Sequence, residues 1–178
     1  MIAITLIIFI PMLLEARRAA RHERAQLARG GIEASDDVYK MMRVAYPAAF
    51  AAMLAEGAVR GSPPAAIVAA GGTLFVLAKT LKWWAILTLG PSWTFRVIVV
   101  PGMPRVVSGP YRWLHHPNYV GVVGVLIGAA MMTGALAAGS IVTAVFLALL
   151  SKRIAVESRL LERATRGTRL ANSLRDGS

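Results

Sequence analysis

Two adjacent histidines, His115 and His116, stand in the run Ser108-Gly-Pro-Tyr-Arg-Trp-Leu-His-His-Pro-Asn-Tyr-Val-Gly121, directly before a long apolar segment. Gly109-Pro110 and His116-Pro117 favour turns. Pro117 suits the first position of a following helix, because its missing N–H would be unpaired there anyway. The free N–H groups and the dipole at such an end attract a carboxylate or another negative group. Tyr111, Trp113 and Tyr119 taken alone fit an interfacial aromatic belt. With the two histidines, the stretch holds more chemistry than a belt requires. A second candidate is Arg153 and Glu157, whose i, i+4 spacing puts them on one helix face. Taken alone, they read most simply as an ion pair. Gly121, Gly124 and Gly128 fall near one face of the helix that follows Pro117. That pattern suits close helix packing, or room for a cofactor against the backbone.

Other polar residues have simpler readings. Lys79, Lys82, Trp83 and Trp84 are expected to snorkel and anchor at a membrane interface. His22 is expected at the surface. Glu56 either reaches water or has a function. Cysteine is absent, which excludes disulfides, thiolate metal sites and a cysteine nucleophile. No zinc motif, P-loop, dinucleotide fingerprint or serine elbow occurs, and no metal site is implied.

The elements that must position these residues are membrane helices. The chain has 178 residues, 56% of them hydrophobic and only 16% charged, against about 25% charged in a soluble domain. Mean hydropathy is +0.57. The expected fold is an all-α integral membrane protein, one domain over 1–178. Its spans fall at about 1–14, 41–59, 65–89, 119–133 and 136–150, with a cytoplasmic helical tail over 151–178. Pro47 interrupts the second span. Gly134 and Gly139 turn the last two into a tight hairpin. The order of charge after Met1–Leu14 is the reverse of a signal peptide, so that stretch reads as an uncleaved anchor. At ~1.5 Å per residue it is shorter than the ~30 Å hydrocarbon core. Leu14–Arg29 is helix-forming and Gly30-Gly31 stops it. Ser35, Asp36 and Asp37 resemble a cap for the next helix.

The net charge is +11. All but one of the 20 basic residues fall in 15–43, in 79–112 and after 151, the exception being Arg60. The positive-inside rule puts those three stretches in the cytoplasm and the N-terminus outside. The charge is therefore a topological signal with some attraction to anionic membrane lipids. It is not a nucleic-acid signature, which would be a soluble basic fold with exposed aromatics.

Gly109-Pro-Tyr-Arg112, then His116-Pro-Asn-Tyr-Val-Gly121, then the apolar hairpin and Arg153-Ile-Ala-Val-Glu157 resemble the isoprenylcysteine carboxyl methyltransferase family over about residues 75–165. The segment Ala16–Tyr39, with Arg29-Gly-Gly-Ile-Glu33, is similar to a bacterial branch associated with methylating alkylpyrones made by type III polyketide synthases. The resemblance implies a bacterial inner-membrane protein that binds S-adenosylmethionine in a cytoplasm-open site. His116, Pro117, Tyr119, Gly121 and Tyr111 would form that site, and Glu157 would help to close it. It implies methyl transfer to a carboxylate or acidic hydroxyl of a lipophilic or lipidated substrate. Two positions depart from the family pattern. His115 stands where Arg usually precedes His-Pro, and Glu157-Ser158 stands where two acids often occur. Such a transfer joins a cation to an anion, so a dry site favours it and no strong base is needed. Arg153 would then pair with the anion. A nicotinamide-dependent sterol-type membrane reductase and a non-enzymatic membrane scaffold are the competing readings.

Overall fold

The computed structural model describes the backbone of residues 2–176 and side chains over 6–166. Met1 of the expected first span and the last two residues of the expected tail lie outside the described residues. Five helices dominate: α1 (Ile2–Ala28), α2 (Tyr39–Arg60), α3 (Ala65–Leu89), α4 (Pro117–Thr133) and α5 (Leu136–Asp176). Two short strands, β1 (Ile32–Glu33) and β2 (Ile98–Val99), pair antiparallel. A 3-10 turn occupies Gly109–Arg112.

Ala65–Ser92 and Leu136–Arg166 are long and apolar enough to cross a membrane, and Pro117–Thr133 is apolar but shorter. The apolar N-terminal stretch and Leu14–Ala28 form one helix of 27 residues with Pro11 inside it, rather than a span and a separate segment. Its end at Gly30, with φ +78°, follows from the left-handed backbone that glycine allows there. Pro47 lies within α2 and does not end it. α5 runs unbroken through 41 residues, so the expected tail continues the last apolar helix without a joint.

The most extensive helix contact is between α3 and α4, and glycine makes it possible. A Cβ on Gly121 would fall 2.9 Å from Lys82 Cβ and 3.0 Å from the Ala78 carbonyl. One on Gly128 would meet the Gly71 carbonyl and the Phe75 amide, both at 2.8 Å. Around this contact Phe50, Met53, Phe75, Val125, Leu126 and Phe146 form the main core.

The three basic stretches meet at one end of the helices. Arg96 pairs there with Glu33, Arg153 with Asp37 and Arg159 with Asp36. At the other end the Glu56 carboxylate accepts from the Ala137 and Ala138 amides at 3.1 and 2.6 Å and pairs with Arg60 at 2.7 Å. Glu56 therefore caps α5, satisfying amides that open a helix.

The α3–α4 contact predicts a contrast between two alanine substitutions. Gly128→Ala drives a Cβ into backbone and should lower the stability of the detergent-solubilised protein by about 1–3 kcal/mol, as overpacking does. Gly72→Ala, where a Cβ meets nothing within 4 Å, should leave it unchanged or slightly raised. Thermal unfolding followed by circular dichroism measures both.

Candidate functional site

Pro117 opens α4 at its first position, preceded by His116 in a non-helical conformation with no side-chain cap. The first turn thus presents His116, Asn118 and Tyr119 to a cavity of about 690 Å³. The His116 and Tyr119 rings stack, with centroids 5.2 Å apart and planes 9° from parallel. The Tyr119 hydroxyl donates to Glu157 Oε2 at 3.2 Å, and Arg153 Nε donates to that hydroxyl at 3.0 Å. The two sequence candidates therefore converge: the His-Pro-Asn-Tyr turn and the Arg153–Glu157 face share one hydrogen-bonded chain. Tyr111, His115, His116, Tyr119, Arg153 and Glu157 all line the cavity.

Pro117 and Gly121 do not line it. Pro117 is buried, and Gly121 lies in the α3–α4 contact. The glycine face of α4 is a packing surface toward α3 and not a wall for a cofactor. Arg153 is held by groups of the protein itself. Its Nη1 donates to Asp37 Oδ1 at 3.3 Å and its Nη2 donates to the Phe95 carbonyl. With Nε on Tyr119, each of its nitrogens is engaged within the protein. These bonds use three of the five N–H donors of the guanidinium, and the Nε bond positions Tyr119. It makes no ion pair with Glu157, which instead accepts from Tyr119.

Asp37 was legible only as a helix cap. It does accept from the Tyr39 amide at 3.2 Å, and it also accepts from Val97 at 2.9 Å while facing Arg153. Its partner lies 116 residues away, and no local pattern signals such a pairing. Asn118 was missed as well: its Oδ1 is buried with no hydrogen-bond partner among the described residues. His22 is half-buried, not superficial, with Nδ1 2.8 Å from the Trp93 carbonyl. Lys82 does not snorkel; it is buried and paired with Glu15.

Burial lowers the His116 pKa below its ordinary 6.5, Glu157 opposing and Arg105 and His115 reinforcing the shift. Burial likewise raises the Tyr111 hydroxyl, so it remains a protonated donor. A second cavity of about 550 Å³ lies between β1 and the Val156–Ala164 part of α5. Its lining includes no histidine or aromatic side chain.

With this geometry in view, likeness to known proteins becomes specific. Residues 71–163, just over half of the chain, match the isoprenylcysteine carboxyl methyltransferase (ICMT) family, and the chain belongs to it. Membership points to a membrane methyltransferase. The chain is similar to the uncharacterized protein YpbQ of Bacillus subtilis, 25% identical over 88% of this chain and 93% of that one. It is also similar to an uncharacterized protein of Haemophilus influenzae, 23% identical over 77% of this chain and 80% of the relative. No solved structure matches the chain.

Two outcomes follow from this geometry. Asp37→Asn leaves the Arg153 guanidinium buried without its counter-charge, which should cost about 3–5 kcal/mol of stability, read by denaturation in detergent. His116 holds its proton less tightly folded than unfolded. Its contribution to stability is present above the unfolded pKa near 6.5 and is lost as the pH falls through the lowered folded value. The melting temperature of His116→Gln should therefore fall less than that of the native chain on acidification from pH ~7 to ~5.

Proposed function

We propose that the chain is an S-adenosylmethionine-dependent O-methyltransferase of the bacterial inner membrane. On this reading it spans the bilayer five times as one domain over 1–178, with α4 and α5 as a tight hairpin. The end that gathers the basic stretches faces the cytoplasm, in keeping with the positive-inside rule. The acceptor is the carboxylate or acidic hydroxyl of a lipophilic molecule, isoprenylcysteine-like or alkylpyrone-like, the latter tying the enzyme functionally to a type III polyketide synthase. The observation that carries the reading is the meeting of His116, Tyr119 and Glu157 in one cavity.

The residues present fit the methyl donor. Asn118 lines the cavity, and its buried Oδ1, an acceptor with no hydrogen-bond partner among the described residues, suits an amino group. The His116 and Tyr119 rings offer aromatic surface, and Glu157 offers a carboxylate for ammonium or ribose hydroxyls. S-adenosylmethionine supplies an activated methyl group on a sulfonium. The chain's own work is positioning and exclusion of water. Arg153, held by Asp37 and Phe95, fixes the Tyr119 hydroxyl. Tyr119 in turn orients Glu157. Buried Tyr111 keeps its proton, and His116 stays neutral near pH 7.

Purified protein given labelled S-adenosylmethionine and bacterial lipid extract should transfer label to a lipid. Glu157→Ala should lower kcat/KM roughly 10- to 100-fold, the equivalent of a lost charge-assisted hydrogen bond. A folded Glu157→Ala protein that works at the native rate would remove Glu157 from the site.

A further inference from the structure

The same cavity is also lined by Glu15, Tyr46 and Lys82, from α1, α2 and α3, and donor binding as described above uses none of them. The Glu15 and Lys82 side chains are only 1% and 4% exposed and pair at 2.5 Å. Lys79, one turn earlier on α3, brings a second ammonium to the other carboxylate oxygen at 3.2 Å. One carboxylate thus serves two ammonium groups, and the cluster carries excess positive charge in an apolar setting. Such charge is costly unless paired. Lys82 borders the cavity, so a ligand there can pair with it. Tyr46 adds a second donor. Its hydroxyl is buried facing the Lys82 ammonium, which can only donate to it, so the phenolic proton has no acceptor among the described residues, and Lys82 Nζ lies 5.3 Å from its ring centroid. Met12, Met42, Val122 and Phe146 supply apolar wall in the same cavity. The tight approach of Gly121 to Lys82 sets this cluster beside the first turns of α4, the helix that carries Tyr119.

We propose that Lys82 Nζ and the Tyr46 hydroxyl form the acceptor subsite, binding the ionised oxygen of a long-chain acid or acidic enol whose tail lies along the apolar wall. Naming the bound molecule the acceptor rests on the methyltransferase reading; the preference for an anion does not. Charge matters to the reaction. An anionic oxygen forms the new O–CH₃ bond with its own lone pair as the S–CH₃ bond breaks. The electrons of that bond stay on sulfur, and no proton has to be removed. A neutral alcohol of the same length meets an ammonium it cannot neutralise and is disfavoured.

Palmitate and hexadecanol, equal in chain length and different in charge, are the probes. In nonionic detergent the purified full chain should bind labelled palmitate at least about tenfold more tightly than hexadecanol. Lys82→Met leaves Glu15 paired with Lys79, so no buried charge is orphaned, and it should abolish the preference. Tyr46→Phe removes the hydroxyl beside Lys82 while leaving the ring and the Lys82–Glu15 pair in place, and should narrow the preference severalfold. Equal binding of the two probes by the native chain, or a preference that survives both substitutions, overturns the proposal. Displacement of palmitate by phosphatidylglycerol at equal potency also overturns it, because the site would then recognise a headgroup. Calorimetry with S-adenosylhomocysteine in the same preparations separates the two readings. Failure to bind it counts against the methyltransferase; retained binding without a palmitate preference counts against the acceptor subsite alone.

Discussion

A guanidinium has donors, no acceptors and a charge that it keeps at any ordinary pH, so a buried one dictates where acceptors must be. Arg153 is 6% exposed, and three separate parts of the chain converge on it. The link between β1 and α2 gives Asp37, the link between α3 and α4 gives the Phe95 carbonyl, and α4 gives the Tyr119 hydroxyl. The end of α5 is thereby fixed against both links and against the start of α4. Glu157, one turn further along α5, accepts the hydrogen bond of the Tyr119 hydroxyl that Arg153 sets in place. The geometry of the candidate site is thus a consequence of satisfying one buried cation.

The same logic separates what the sequence discloses from what it hides. Apolar runs bounded by arginine, glycine and proline mark α3, α4 and α5 to within a few residues, because those signals are local. The meeting of His116, Tyr119 and Glu157 was reachable through family likeness, since it follows from placing both motifs at one end of adjoining spans. Pairings across long separations left no trace. Lys82 finds Glu15 67 residues away, and from the sequence it is indistinguishable from a lysine that snorkels. β1 and β2 are two residues each, too short for any alternation to show. Gly121 was ambiguous for a different reason. A small residue serves close packing and close ligand approach equally well, and only the position of α3 decides between them.

The two ends of the helices contrast in how their polar groups are satisfied. At the end that holds Arg60, the one outlying basic residue, the Glu56 carboxylate accepts from two opening amides of α5 and neutralises Arg60. That end closes on itself. At the opposite end Asn118 Oδ1 is buried with no hydrogen-bond partner among the described residues, the buried Tyr46 hydroxyl faces Lys82, and two lysines share one carboxylate. Buried polar groups are nearly always paired, so unpaired ones call for an explanation. Here Asn118 and Tyr46 line one and the same cavity. A nucleotide donor and an anionic lipid acceptor, as proposed above, would each bring polar groups into that cavity.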